Sequence, residues 1–167
     1  MTYKPFDLTG KVALVTGGNG GIGFGMVEAM AQAGADVVIW GSNPKKNADA
    51  EAKLAPLGVR VLTQVVDVSD EHAVAAGMVE AVAKMGRVDT VIANAGIGMG
   101  APSFSEFSTE TYRKVLAVNL DGVFFTFREA CKHMITARAA ARWWRSPRSR
   151  PSTARRATRL MRPPRGP

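Results

Sequence analysis

Thr16-Gly17-Gly18-Asn19-Gly20-Gly21-Ile22-Gly23 is a glycine string set between two runs of different character. Before it stands Val12-Ala13-Leu14-Val15, an apolar run with strand character, and after it residues 24–33 read as helix. A glycine turn between a buried strand and a helix suits an anion. Glycine permits the tight turn and lets backbone approach a phosphate closely. The helix start then offers unpaired N–H groups and the positive end of its dipole. The strand-turn-helix setting is what lifts the string above an ordinary turn.

Working outward, β-rich and helical runs alternate. Strands are expected at residues 11–16, 36–40, 60–66 and 88–92. Helices are expected at 21–33, 44–57 and 70–85, with Pro44 in a tolerated first-turn position and Gly77 a weak point inside the third. This alternation predicts βαβ units, a parallel sheet covered on both faces, and a ligand crevice at the strand C-termini. Residues 98–102 read as a loop, and Ser103-Phe104-Ser105-Glu106 has capping-box spacing for a short helix. Residues 109–135 read as one long helix. Tyr112, Leu116, Leu120, Val123, Phe124, Phe127, Cys131 and Met134 recur on it at helical spacing, a stripe expected to be core or subunit interface.

Charge divides the chain sharply. Residues 1–137 hold 12 Lys+Arg against all 14 Asp+Glu, a net charge of −2, whereas residues 138–167 hold 10 Arg and no acid. The overall +8 therefore belongs to the last segment. From residue 136 onward the chain has no Val, Ile, Phe or Tyr beyond the preceding helix, and disorder is expected there. Ten arginines would bind phosphate without selectivity, and no patterned basic helix exists, so no specific nucleic-acid partner is expected. The single cysteine, Cys131, excludes an internal disulfide, fits a reducing cytoplasm and is expected to pack as a helix thiol. No apolar signal core or membrane-spanning run stands out, and no metal site is assigned.

Several motifs in order then carry a resemblance. They are Thr16-Gly17 with Gly21-Ile22-Gly23, Asp67-Val68 after the third strand, Asn94-Ala95-Gly96 after the fourth, and Asn119 between Val118 and Leu120. Over roughly residues 5–135 the chain resembles the classical short-chain dehydrogenase/reductases. The resemblance implies a Rossmann-like doubly wound α/β sheet, here cut short after about four strands in the order 3-2-1-4. It implies an incomplete dinucleotide-binding domain over 1–135, and composition makes 136–167 a disordered basic tail. It also implies hydride transfer between a nicotinamide dinucleotide and a secondary alcohol or ketone, in a homo-oligomer.

By the same resemblance, Gly17, Gly21 and Gly23 would shape the pyrophosphate turn, Ile22 would offer backbone contact, and Asn19 and Ser42 would also bind the cofactor. Asp67 would accept from the adenine amino group and Val68 would touch that ring. Asn94, Ala95 and Gly96 would support the sheet and the nicotinamide ribose. Asn119 would kink its helix and hold a water in the proton relay. Read from the residues alone, Asp67 could instead simply cap the next helix. The second strand ends in Trp40-Gly41-Ser42-Asn43 with no acid to pair with ribose hydroxyls. With Lys45 and Lys46 close by, this favours NADP(H) over NAD(H).

The rest of the family chemistry is missing. A tyrosine must move the proton, with a lysine four residues on to tune a phenol whose ordinary pKa is about 10. A serine must polarise the carbonyl. The chain has only Tyr3 and Tyr112, followed four places on by Asp7 and Leu116. The expectation is an inactive form, the alternative being a dinucleotide-binding protein without catalysis. A reading-frame shift near residues 136–142 would account for the change. In one shifted frame, the codon across Leu160/Met161 allows Tyr and the codon across Pro164/Arg165 allows Lys four codons later. The codon across Pro147/Arg148 allows Ser thirteen codons before that Tyr. A sheet ending on its fourth strand would leave an open edge, so a marginal, poorly soluble product is expected.

Overall fold

The structure, a computed structural model, describes residues 6–143, and side chains through residue 137. The chain divides into two units, Met1–Ile135 and Thr136–Pro167. The first holds four strands: β1 (Val12–Thr16), β2 (Asp36–Gly41), β3 (Val61–Val65) and β4 (Thr90–Ala93). They form one parallel sheet in the order β3-β2-β1-β4. Between them run helices α1 (Gly21–Gln32), α2 (Pro44–Leu54) and α3 (Glu71–Met85). The architecture is Rossmann-like, with helices on both faces.

Strand alternation builds two cores. Leu14, Val38 and Trp40 face α3 with Val74, Met78 and Ala81. Val15, Val37 and Ile39 face the opposite way, onto Val27 and Ala31 of α1 and Ala50 and Leu54 of α2. Every residue of β1 is buried, as covering both faces of a parallel strand demands. Gly77 is explained by packing. A Cβ there would stand 3.0 Å from Val66 and 3.2 Å from the Trp40 indole, so glycine lets α3 close over the largest core side chain. The second helix stops at Leu54 and finishes as a 3-10 turn, Ala55–Leu57.

Asp89 fastens β1 at its start. Its Oδ2 accepts from the Val12 N–H at 2.9 Å and its Oδ1 pairs with Arg87. Partial burial pushes its carboxyl upward. The Arg87 hydrogen bond, the Val12 N–H and the nearby charges of Arg87 and Lys11 outweigh this, and hold it below the usual range. Because the folded form keeps the depressed value, its stabilisation is full above the unfolded value. It fades as acid takes pH down through the folded one. Asp89→Asn is expected to blunt the acid limb of a stability-versus-pH curve below about pH 4, read by urea unfolding at stepped pH.

After β4, the Ser103–Glu106 pattern yields a 3-10 turn, Phe104–Glu106. Its capping-box pair does not cap in the expected way: the Ser103 hydroxyl donates to Glu106 Oε1 at 2.7 Å. The expected single long helix is three pieces: α4 (Thr109–Leu116), a π turn (Ala117–Asp121) and α5 (Gly122–Trp143). α5 runs on to Trp143 rather than stopping at Ile135, and Ala137, Ala139, Ala140 and Ala141 give the physical reason, being the strongest helix formers. The expected disorder of residues 144–167 lies outside the described residues.

Of the two expectations for the apolar stripe, core packing does not hold. Tyr112, Leu120, Phe124, Phe127 and Cys131 are exposed. The packed face of α5 carries Gly122, Thr126 and Ala130 instead, all buried. A Cβ at Gly122 would stand 2.8 Å from Val68, so small residues bring the helix close and the larger ones are left outside. Arg128 ties α5 to α3 by a 2.6 Å bridge to Glu71, and His133 Nε2 accepts from the Val88 N–H at 3.3 Å. Among the described residues no helix is long and apolar enough to cross a membrane.

Candidate functional site

Thr16, the last residue of β1, organises the strand ends. It is buried, and its hydroxyl oxygen accepts from the backbone N–H groups of Asn94 at 3.0 Å and Ala95 at 2.9 Å. The Asn94 Nδ2 returns a bond to the Thr16 carbonyl at 3.1 Å and reaches the Gly17 carbonyl at 3.4 Å. The end of β4 is thereby stitched to the glycine turn. Gly17 takes φ +65°, a left-handed conformation, and a Cβ on it would stand 3.0 Å from Ala95. A Cβ on Gly23 would fall 2.3 Å from the Gly17 carbonyl oxygen, so the turn closes only around a bare backbone.

The turn delivers the chain into α1 without a side-chain cap. Gly20 holds the cap position in extended backbone, and the first turn of α1 carries no acid. α2, α3 and α4 differ: Asn43, Asp70 and Ser108 each accept a backbone N–H at their starts. The uncapped start of α1 leaves its first N–H groups for an outside acceptor, and they border a cleft of about 560 Å³.

This cleft gathers Gly17, Asn19, Gly21, Ile22, Gly23, Ser42, Asp67, Val68, Asn94, Ala95 and Gly96. Asp67 does not cap α3, a duty that Asp70 performs through the N–H groups of His72 and Ala73. Asp67 Oδ1 instead accepts from the backbone N–H of Ser69 at 2.9 Å and its hydroxyl at 2.7 Å. Asp67 Oδ2 has no protein partner among the described residues. Asn119 stands in the π turn behind the wall. Its Oδ1 accepts from the Ile97 N–H at 2.9 Å, and its Nδ2 donates to the Ile97 carbonyl at 3.0 Å. That pair holds Ile97, which lines the cleft. Of the two lysines after β2, Lys46 lines the cleft and Lys45 does not.

Sequence reasoning missed three contributors. Trp40 lines the cleft from within the core. Thr16 acts through its hydroxyl. Asn47 of α2 bonds to Asn19 at 2.7 Å, with no motif to mark it.

The short chain dehydrogenase family model matches residues 11–142. Gluconate 5-dehydrogenase of Gluconobacter oxydans is 37% identical over 130 residues, covering 78% of this chain and 50% of that protein. The 2-dehydro-3-deoxy-D-gluconate 5-dehydrogenase of Escherichia coli is 36% identical over 135 residues, 81% of this chain and 52% of that one. Among solved structures, an NAD+-bound xylitol dehydrogenase superposes with a TM-score of 0.75 at 29% identity, covering 78% of this chain and 50% of that one. An NADPH-dependent 3-quinuclidinone reductase from Rhodotorula rubra gives 0.72 at 34% identity, covering 79% and 50%. The chain spans about half the length of the curated relatives it matches. With the family model matched across the whole sheet, and relatives of this identity, the chain belongs to the short chain dehydrogenase family.

Proposed function

We propose that residues 1–135 form the dinucleotide-binding part of an NAD(P)-dependent oxidoreductase acting on a secondary alcohol or ketone. The observation that carries this is the uncapped start of α1 opening on a cleft that also gathers Asp67 and Asn94. Gly17, Gly21, Ile22 and Gly23 hold the pyrophosphate through backbone. Asp67 Oδ2 takes the adenine amino group, and Val68 packs on its ring. Asn94, Ala95 and Gly96 would support the nicotinamide ribose, while Asn119 braces Ile97 and, in an intact subunit, would hold a water of the proton relay. A bound nicotinamide supplies or takes the hydride.

The chain as written binds without turnover, since it holds no Tyr-x-x-x-Lys to handle the proton. The last segment follows a shifted reading frame that begins at about residue 136–142. The family match ending at residue 142 supports this, and the coding DNA decides it. In an intact subunit, the exposed Leu120, Phe124 and Phe127 serve contact with a second copy.

The cofactor preference is for NADP(H). The end of β2 offers Ser42 and the cation of Lys46 and no acid, so a 2′-phosphate meets attraction there. Titration of the purified chain, followed by nicotinamide fluorescence, is expected to show saturable NADPH binding without ketone reduction. Lys46→Ala is expected to weaken NADPH about 3- to 10-fold, with NADH little changed. Turnover of a ketone, or no saturable binding of either dinucleotide, would overturn the reading.

A further inference from the structure

We propose that Asn47 is a positioning residue for the adenosine end of the bound dinucleotide, acting through Asn19 of the glycine turn. The proposal rests on reading the cleft as a dinucleotide site. α2 is a largely polar helix, and its buried residues are Asn47, Ala50 and Leu54. A carboxamide thus occupies the first place of a stripe where an apolar side chain would suffice for packing. Burying an amide is costly unless its hydrogen bonds are made.

Here they are made, and their chemistry fixes a direction. Asn47 Nδ2 donates to the Gly41 carbonyl at 3.1 Å and to the Gln64 carbonyl at 3.0 Å. Carbonyl oxygens only accept, so the atom facing them must be the nitrogen. Asn47 Oδ1 must then face Asn19, and Asn19 must present its own Nδ2, which it does at 2.7 Å. Two backbone carbonyls at the ends of β2 and β3 thereby set the sense of both amides.

The pair crosses directly over Gly41. A Cβ on that residue would stand 2.1 Å from Asn19 Nδ2 and 2.5 Å from Asn47 Oδ1. Asn19 and Gly41 line the cleft beside Ser42 and Lys46, whereas Asn47 does not. Asn47 therefore acts on a ligand only through Asn19. Among the described residues, Asn19 Oδ1 and the second hydrogen on its Nδ2 have no protein partner. Held in one sense, they offer an acceptor to a ribose hydroxyl and a donor to a phosphate oxygen. A free amide would have to be ordered on binding, and the lock removes that cost.

A double-mutant cycle on the full chain, titrated with NADPH and NADH, tests this. Asn19→Ala and Asn47→Ala are each expected to weaken binding about 10-fold, and the double variant no more than about 2-fold beyond Asn19→Ala. Gly41→Ala provides a second route, since its Cβ parts the Asn19–Asn47 pair while both side chains remain. It is expected to weaken binding about 10-fold alone and hardly further in the Asn19→Ala background, which keeps the test open if Asn47→Ala does not fold. Losses that add, or no loss in Asn47→Ala and Gly41→Ala, overturn the proposal while leaving the cleft a dinucleotide site. A wild-type chain that binds neither dinucleotide overturns both.

Discussion

Gly23→Val is expected to lower dinucleotide affinity at least 100-fold and to lower the thermal midpoint by about 5 degrees or more. The size of the effect follows from what surrounds the position. A Cβ would stand 2.3 Å from the Gly17 carbonyl oxygen, 2.5 Å from Asn94 Nδ2 and 2.9 Å from the Gly17 carbonyl carbon. Two of these are backbone atoms, and the third is an amide nitrogen held by the Thr16 and Gly17 carbonyls. The turn itself must move, and with it the N–H groups proposed to hold the phosphates. Gly25→Ala is the matched control on the same helix. Its Cβ meets nothing within 4 Å, so binding should be unchanged and helix propensity slightly improved. A Gly23→Val chain that bound NADPH within about 3-fold of wild type would show that the phosphates lie elsewhere.

Trp40→Ala is expected to cost about 3–5 kcal/mol of folding stability, read by urea unfolding. The indole is fully buried between β2 and α3, and its Nε1 donates to Gln64 Oε1 at 2.7 Å. Truncation opens a cavity under Gly77 and strips Gln64 of a partner in the same step. Trp40→Phe restores much of the volume but not the donor, so it should fall between the two. Typical domains are stable by only about 5–15 kcal/mol, so the alanine variant approaches the limit of folding. A loss under about 1 kcal/mol would mean that the sheet and α3 pack without the indole.

The frame of the molecule was legible because its signals are local. Apolar runs bounded by glycine marked every strand, and the glycine turn before α1 and the polar starts of α2 and α3 marked the first three helices. The glycine turn placed the cleft at the strand ends. Periodicity marked an exposed stripe on the last helices, for a physical reason. A stripe of large apolar residues looks like the packed face, yet Gly122, Thr126 and Ala130 make closer contact and leave Phe124 and Phe127 outside. The π turn around Asn119 had no signal in composition, because it depends on a carboxamide meeting Ile97 across 22 positions of chain. Asn47 was invisible likewise: its partners are the carbonyls of Gly41 and Gln64, which any residue would provide.

The hydroxyl of Thr16 has one more effect. By accepting from two successive amides of the segment after β4, it welds the two banks of the cleft into one piece before any visitor arrives. A receptor assembled in advance gains speed. Capture is then governed by diffusion and orientation rather than by waiting for a loop to rearrange, and differences among visitors are expressed in how long each one stays.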